Sequence, residues 1–307
     1  MFKRAMTVGG RADEEPAGRH ASSEAETRTE ISQSFPGCLM AIGGAEDRTS
    51  DCELLRVFAE LCGGTRARIA LITTASGVPA RSFAMYAAAF RRLGICDICE
   101  LRLASHEQAD GVHALSALAR ATGVFFTGGD QARLECLAGS RANLILRGRV
   151  AANSLVVAGT SAGAMALGPV MILGGNVRAN DYDGDNQEAA EDTDDRLCMG
   201  LGLDLLPAAI IDVHFTQRRR LPRLVAAVAG HPPHLGIGID EDTAVLVRSG
   251  RFDVLGRGEV VTVDMDPVQE AGPPVGPVVP GGRAQGMRVH RLHADDAFPL
   301  ERRHPFR

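Results

Sequence analysis

No stretch of the 307 residues stays apolar and uncharged for the length that a membrane-spanning helix requires, about 18 residues, so no membrane partner is expected. There is no surplus of basic residues either; the formal net charge is −5. A dedicated nucleic-acid binder would carry a basic face, so no nucleic-acid partner is expected. Tryptophan is absent, and Lys3 is the only lysine, so every other cationic side chain that is charged at all pH values near neutral is a guanidinium. Cysteine is scattered and odd in number (Cys38, Cys52, Cys62, Cys96, Cys99, Cys136 and Cys198). That argues against a disulfide framework at this length and suits a reducing, cytoplasmic setting. Cys96 and Cys99 form one C-x-x-C inside DICELRL, which reads as a strand, and no second pair or nearby His completes a tetrahedral metal site. No G-x-G-x-x-G or Walker A run occurs, which argues against a nucleotide site. No metal and no organic cofactor are expected.

What is present is ordinary for a globular protein: 45% hydrophobic and 23% charged residues. The length is ample for a large core. Residues 1–35 are polar, lack the apolar region of a secretory signal, and read as a disordered extension. From Cys38 onward, short apolar runs alternate with helical patterns. CLMAIGG, ARIALITTAS, DICELRL, VFFTGG and NSLVVAGTS read as buried strands. SDCELLRVFAELCGG, PARSFAMYAAAFRRLG and ADGVHALSALARATG read as helices, and a further helix is expected from about Asp130. This alternation predicts a parallel sheet with helices on both faces over residues 36–266. LLPAAIIDVHF reads as another strand and TQRRRLPRLVAAVAG as a helix, while HLGIGIDEDTAVLV, RFDVLG and EVVTVDMD read as antiparallel pairs at a sheet edge. Residues 180–195 form an acidic stretch that predicts a long surface loop. Residues 267–307 read as a Pro/Gly-rich connection and a last strand on the same domain.

Gly159-Thr160-Ser161-Ala162-Gly163 is a G-x-S-x-G between an apolar strand and a helix, the context of a nucleophile elbow. Small residues permit the sharp turn, and the amide of Ala162 could stabilise an oxyanion. A serine nucleophile needs a base. His214 alone among the histidines ends a buried apolar strand, and strand C-termini in a parallel sheet gather on one edge. Asp240 or Glu241, at the end of GIGIDE, could orient that imidazole. Gly43-Gly44 and Gly128-Gly129 end strands at the same edge, where consecutive glycines expose amides. Arg218, Arg219, Arg220 and Arg223 follow His214, and guanidinium forks suit carboxylates.

The segments AIGGAEDR, LITTAS, FFTGGDQ, AGTSAGAMAL, DVHFTQRRRLPRL and GIGIDEDTAVLV, in that order, resemble the S51 serine peptidase family, which holds the cyanophycinases and the aspartyl dipeptidases. The resemblance covers about residues 37–265. It implies a flavodoxin-like fold related to class I glutamine amidotransferases, with Ser161 as nucleophile, His214 as general base and acid, and Glu241 orienting His214. It implies a second oxyanion donor from the backbone near Gly129 and Asp130, and a substrate pocket lined by Gln131, Asp212, Arg218, Arg220 and Arg223. The implied substrate is cyanophycin, a poly-aspartate with arginine on each side-chain carboxylate, trimmed to β-aspartyl-arginine dipeptides. A small β-aspartyl or acidic peptide is the alternative, and a non-catalytic binding homologue is another. A homodimer is also implied. Val213 stands where the cyanophycinase branch is expected to carry Gln, and Met165 where it is expected to carry Ser. The acidic loop 180–195 could attract the arginines of a polymer.

Overall fold

The computed structural model describes residues 37–175, 197–265, 278–279, 282–283 and 286–300. The expected N-terminal extension, the acidic loop and most of the Pro/Gly-rich connection lie outside the described residues. The first half of the chain alternates as expected: β1 (Cys38–Ile42), α1 (Glu53–Leu61), β2 (Arg68–Ile72), α2 (Pro79–Arg92), β3 (Asp97–Leu101), α3 (His106–Asp110), α4 (Val112–Arg120), β4 (Gly123–Phe126), α5 (Arg141–Ala151), β5 (Val156–Thr160) and α6 (Ala162–Met165). Pro79 opens α2, where a missing N–H and a fixed φ suit the first turn. The side chain of Ser140 caps α5 by accepting from the Asn143 amide.

Two helical readings are corrected. ADGVHALSALARATG is two helices, because Gly111 is extended at φ −69°, ψ 146°, and Asp110 turns its carboxylate to the Arg141 amide at 2.7 Å. The helix expected from Asp130 is a 3-10 segment over Gln131–Leu137 capped by the Asp130 side chain, and α5 starts only after Ser140.

The second half continues with β6 (Val170–Gly174), β7 (Cys198–Leu201), β8 (Ala209–Val213), α7 (Leu221–Gly230), β9 (Leu235–Ile239), β10 (Thr243–Arg248), β11 (Arg251–Gly256), β12 (Val260–Met265), the two-residue ladder β13–β14 (Val278–Val279 with Gly282–Arg283), β15 (Met287–Leu292) and β16 (Ala297–Pro299). α7 begins at Leu221 rather than near Thr216. Pro222 in its first turn explains this, since a proline deeper in a helix would clash with the carbonyl four residues back.

The fold is mixed α/β with a parallel-rich central sheet. Eight strands run in the order β16-β11-β10-β1-β5-β4-β2-β3. β1, β5, β4, β2 and β3 are mutually parallel, and β10, β11 and β16 extend the sheet antiparallel beyond β1. The expectation of one sheet is corrected. β8, the strand that leads to His214, belongs to a second sheet of order β15-β12-β9-β8. Within it β8 and β9 are parallel, and β12 pairs antiparallel with β9 and β15. GIGIDEDTAVLV therefore crosses between sheets at Asp240–Asp242. β9 accepts close neighbours through its glycines: a Cβ at Gly236 would lie 2.7 Å from Val228 Cγ2, and one at Gly238 would collide with the Phe215 ring.

The faces of the central sheet bury separate cores. On one face Phe125 of β4 meets Phe58, Phe90 and Tyr86 with ring centroids 5.5, 5.7 and 4.9 Å away. Phe126, its neighbour, turns to the opposite core, which includes residues of α4, α5, α7 and the second sheet. Phe125 is fully buried among three rings, so Phe125→Ala should lower unfolding free energy by about 3–5 kcal/mol, measured by denaturant titration.

Candidate active site

The site begins with backbone. β5 stops at Thr160, Ser161 takes φ +51° and ψ −118°, and α6 starts at Ala162. A positive φ on a non-glycine residue is uncommon and stays in place only where its surroundings enforce it. The enforcement is visible. A Cβ at Gly159 would collide with the carbonyl of Gly163, and one at Gly163 would lie 2.5 Å from the carbonyl of Phe126. The turn is thus as tight as two glycines allow. It presents Ser161 Oγ 2.9 Å from His214 Nε2.

His214 follows β8 with φ +48°. Its Nδ1 lies 2.7 Å from Glu241 Oε1, so serine, imidazole and carboxylate form one hydrogen-bonded chain. The two carboxylates weighed for that place divide the work. Glu241 reaches the imidazole, and its own amide donates to Gln217 Oε1. Asp240 turns to the other side. Its Oδ1 accepts from the Thr216 amide at 2.9 Å and the Thr216 hydroxyl at 2.7 Å, and Oδ2 accepts from the Glu259 amide. Asp240 therefore holds the chain that leaves His214 and takes no part in the imidazole contact.

The three members come from different places and share one support. The Ser161 amide donates to Ile42 O, the His214 amide to Gly43 O, and the Asp242 amide to Gly44 O. Three successive carbonyls at the end of β1 thus hold the nucleophile candidate, the base candidate and the residue beside the acid. Gly44 has φ +99°, and a Cβ there would fall inside the His214 ring contact, 2.6 Å from Nε2.

The amides near Ser161 are unequal. That of Ala162, first in α6, has no acceptor among the described residues. Gly128 lies close by; a Cβ on it would be 3.2 Å from Ser161 Cβ. Gly129, at φ +145°, also keeps its amide without an acceptor among the described residues. Asp130 is corrected as a donor: its amide is held by Ala75 O at 2.9 Å.

The expected pocket residues also divide. Gln131 donates its amide nitrogen to Ile172 O and Leu173 O, at 2.8 and 2.9 Å, and so ties β6 to the site. Asp212 is fully buried. Arg223 grips it with two bonds, Nε to Oδ2 at 2.8 Å and Nη2 to Oδ1 at 2.6 Å, and Arg220 Nη1 adds a third at 3.1 Å. Asp212 and Arg223 are thus buried and engaged with each other. Two guanidiniums thus share one carboxylate. Arg220, which also donates to Val213 O, is the partly open end of that cluster. Burial holds its guanidinium below the ordinary value, opposed by Asp212. Arg218 is exposed on the same turn, its amide on His214 O. Val213 and Met165, the two departures, are both buried and pack in the core. Cys96 and Cys99 carry free thiols, and no His/Cys/Asp/Glu cluster suited to a metal exists among the described residues.

An α/β protein whose sheet edge joins serine, histidine and glutamate beside open amides has the layout of a serine hydrolase. The family model described as peptidase family S51 matches residues 39–255. The chain belongs to peptidase family S51 and is a serine peptidase. It is 38% identical over 276 residues to a cyanophycinase of Trichormus variabilis, covering 88% of each chain. It is 38% identical over 230 residues to a cyanophycinase of Synechococcus elongatus, covering 74% of this chain and 68% of that one. The crystal structure of a peptidase from an acI-B1 Actinobacterium shares the fold, with TM-score 0.59 and 19% identity over 87% of this chain and 98% of that one.

Two outcomes follow from the geometry. Gly44→Ala should leave a folded protein, checked by circular dichroism, whose peptidase kcat falls about 10²-fold through displacement of the imidazole. Asp212→Ala strands the buried Arg223 guanidinium and the partly open Arg220 and should lower stability by about 3–5 kcal/mol, measured by denaturant unfolding.

Proposed function

We propose that this chain degrades cyanophycin as a serine exopeptidase, releasing β-aspartyl-arginine dipeptides. The observation that carries the reading is the Ser161–His214–Glu241 chain of hydrogen bonds in a protein 38% identical to cyanophycinases over most of its length. His214 Nε2 takes the Ser161 proton as Oγ attacks the scissile carbonyl. Glu241 accepts from Nδ1–H and stabilises the imidazolium that forms. The amides of Ala162 and Gly129 receive the developing oxyanion. Nε2 then returns the proton to the leaving amine. An ester on Ser161 remains, and water, activated by the same imidazole, releases the product.

Arg218 and the open edge of Arg220 supply positive charge for the aspartyl carboxylates, while Asp212 and Arg223 hold Arg220 in place. In this reading the turn at Ser161 is a nucleophile elbow on a flavodoxin-like sheet, and the enzyme works as a cytoplasmic homodimer without metal or cofactor. Among the described residues no helix is long and apolar enough to cross a membrane.

The test is arginine-containing dipeptide release from insoluble cyanophycin by wild type beside Ser161→Ala. Release by wild type alone is expected. Release by both removes Ser161 from the chemistry. Release by neither, with small β-aspartyl peptides cleaved by wild type, moves the substrate to the dipeptides.

A further inference from the structure

Beneath the turn that carries Ser161 lies a buried carboxylate that the reaction scheme does not use. Glu46 is 2% exposed. A buried carboxylate without partners would be costly, so its contacts define what it does. It accepts from Tyr86 Oη at 2.5 Å and, through its other oxygen, from Thr160 Oγ1 at 2.6 Å. Arg48 Nη1 donates to Tyr86 Oη at 3.2 Å and stands 3.8 Å from the Glu46 carboxylate. The donors therefore run one way: Arg48 to Tyr86, Tyr86 to Glu46, and Thr160 to Glu46. Burial and the neighbouring Glu46 hold the Tyr86 phenol well above its ordinary value, so it stays a donor.

Thr160 is the residue before the strained Ser161. Its main chain is already paired with Ile42 in the sheet. The Glu46 contact fixes its side chain as well, which closes the last rotatable group ahead of the turn. Glu46 itself follows Gly44 by two residues, and the next residue, Asp47, donates its amide to Asp242 Oδ1 beside Glu241. The segment after β1 thus braces the nucleophile strand on one side and the Glu241 turn on the other.

We infer that Glu46, acting through Thr160, is a positioning residue that holds Ser161 in its reactive geometry, an inference that rests on the serine mechanism proposed above. Both side chains are buried. Their work is to stop the turn from relaxing to an ordinary φ, which would carry Oγ away from His214.

The experiment is the rate at which a fluorophosphonate probe labels Ser161 in the purified full chain, with kcat and KM on cyanophycin measured in parallel. Thr160→Val should label about tenfold more slowly, with kcat reduced and KM unchanged. Thr160→Ser, which keeps the hydroxyl, should restore the rate. Glu46→Gln should also slow labelling, and the Glu46→Gln/Thr160→Val pair should be no slower than the slower single variant. Leu118→Ala, a buried change on α4, should lower Tm but label at the wild-type rate, so destabilisation alone is not the cause. Wild-type labelling of Thr160→Val overturns the inference, as does equal slowing in Leu118→Ala. If Thr160→Val does not fold, wild-type labelling of Glu46→Gln overturns it. Wild type that resists the probe overturns the serine mechanism itself, and this inference with it.

Discussion

Three backbone carbonyls at the end of β1 carry the site. Ile42, Gly43 and Gly44 accept, in order, from the amides of Ser161, His214 and Asp242. The three donors lie far apart in the chain, just beyond strands of two different sheets. They converge because β1 lies between β5, which leads to Ser161, and β10, which follows Glu241. The glycines make the convergence possible. A side chain at Gly43 would collide with Asp240 O, and one at Gly44 with the imidazole. The site geometry is thus a consequence of where one strand ends and of what its last residues lack.

Charge near the site follows the same division between support and chemistry. Asp212 with Arg220 and Arg223 forms a buried cluster at the base of the His214 turn. Breaking such a pair exposes an uncompensated charge in a low-dielectric interior, so its members are held firmly. Glu46 plays the matching role under Ser161, and Asp240 under Thr216. Buried carboxylates position the site, while Glu241, partly open, is the one that reaches the imidazole.

What was legible in the sequence was local. G-T-S-A-G between a strand and a helix announces a tight turn by its small residues alone. His214 stood out because it ends an apolar run, and Asp240 and Glu241 together because they close the next one. The second sheet was not legible. β8 and β9 are buried along their whole length, as a central parallel strand would be, and nothing in their pattern says which sheet they join. The pairing of Asp212 with Arg223 and the loss of the Asp130 amide to Ala75 depend on partners brought by tertiary structure, as does the Glu46–Thr160 contact across 114 positions. A buried carboxylate two residues past a Gly-Gly turn leaves no mark that a surface carboxylate would not leave. The α7 start was readable in principle, since Pro222 limits how far back the helix can reach.

The proposed mechanism requires one serine, activated through His214, to form a covalent intermediate. The most direct measurement is an acid quench of wild type during turnover of cyanophycin, followed by peptide mapping by mass spectrometry. A substrate-derived acyl group is expected on the peptide that contains Ser161, and none on the same peptide from His214→Ala. Hydrolysis that proceeds while Ser161 stays unmodified, or a label that settles on another residue, would contradict it.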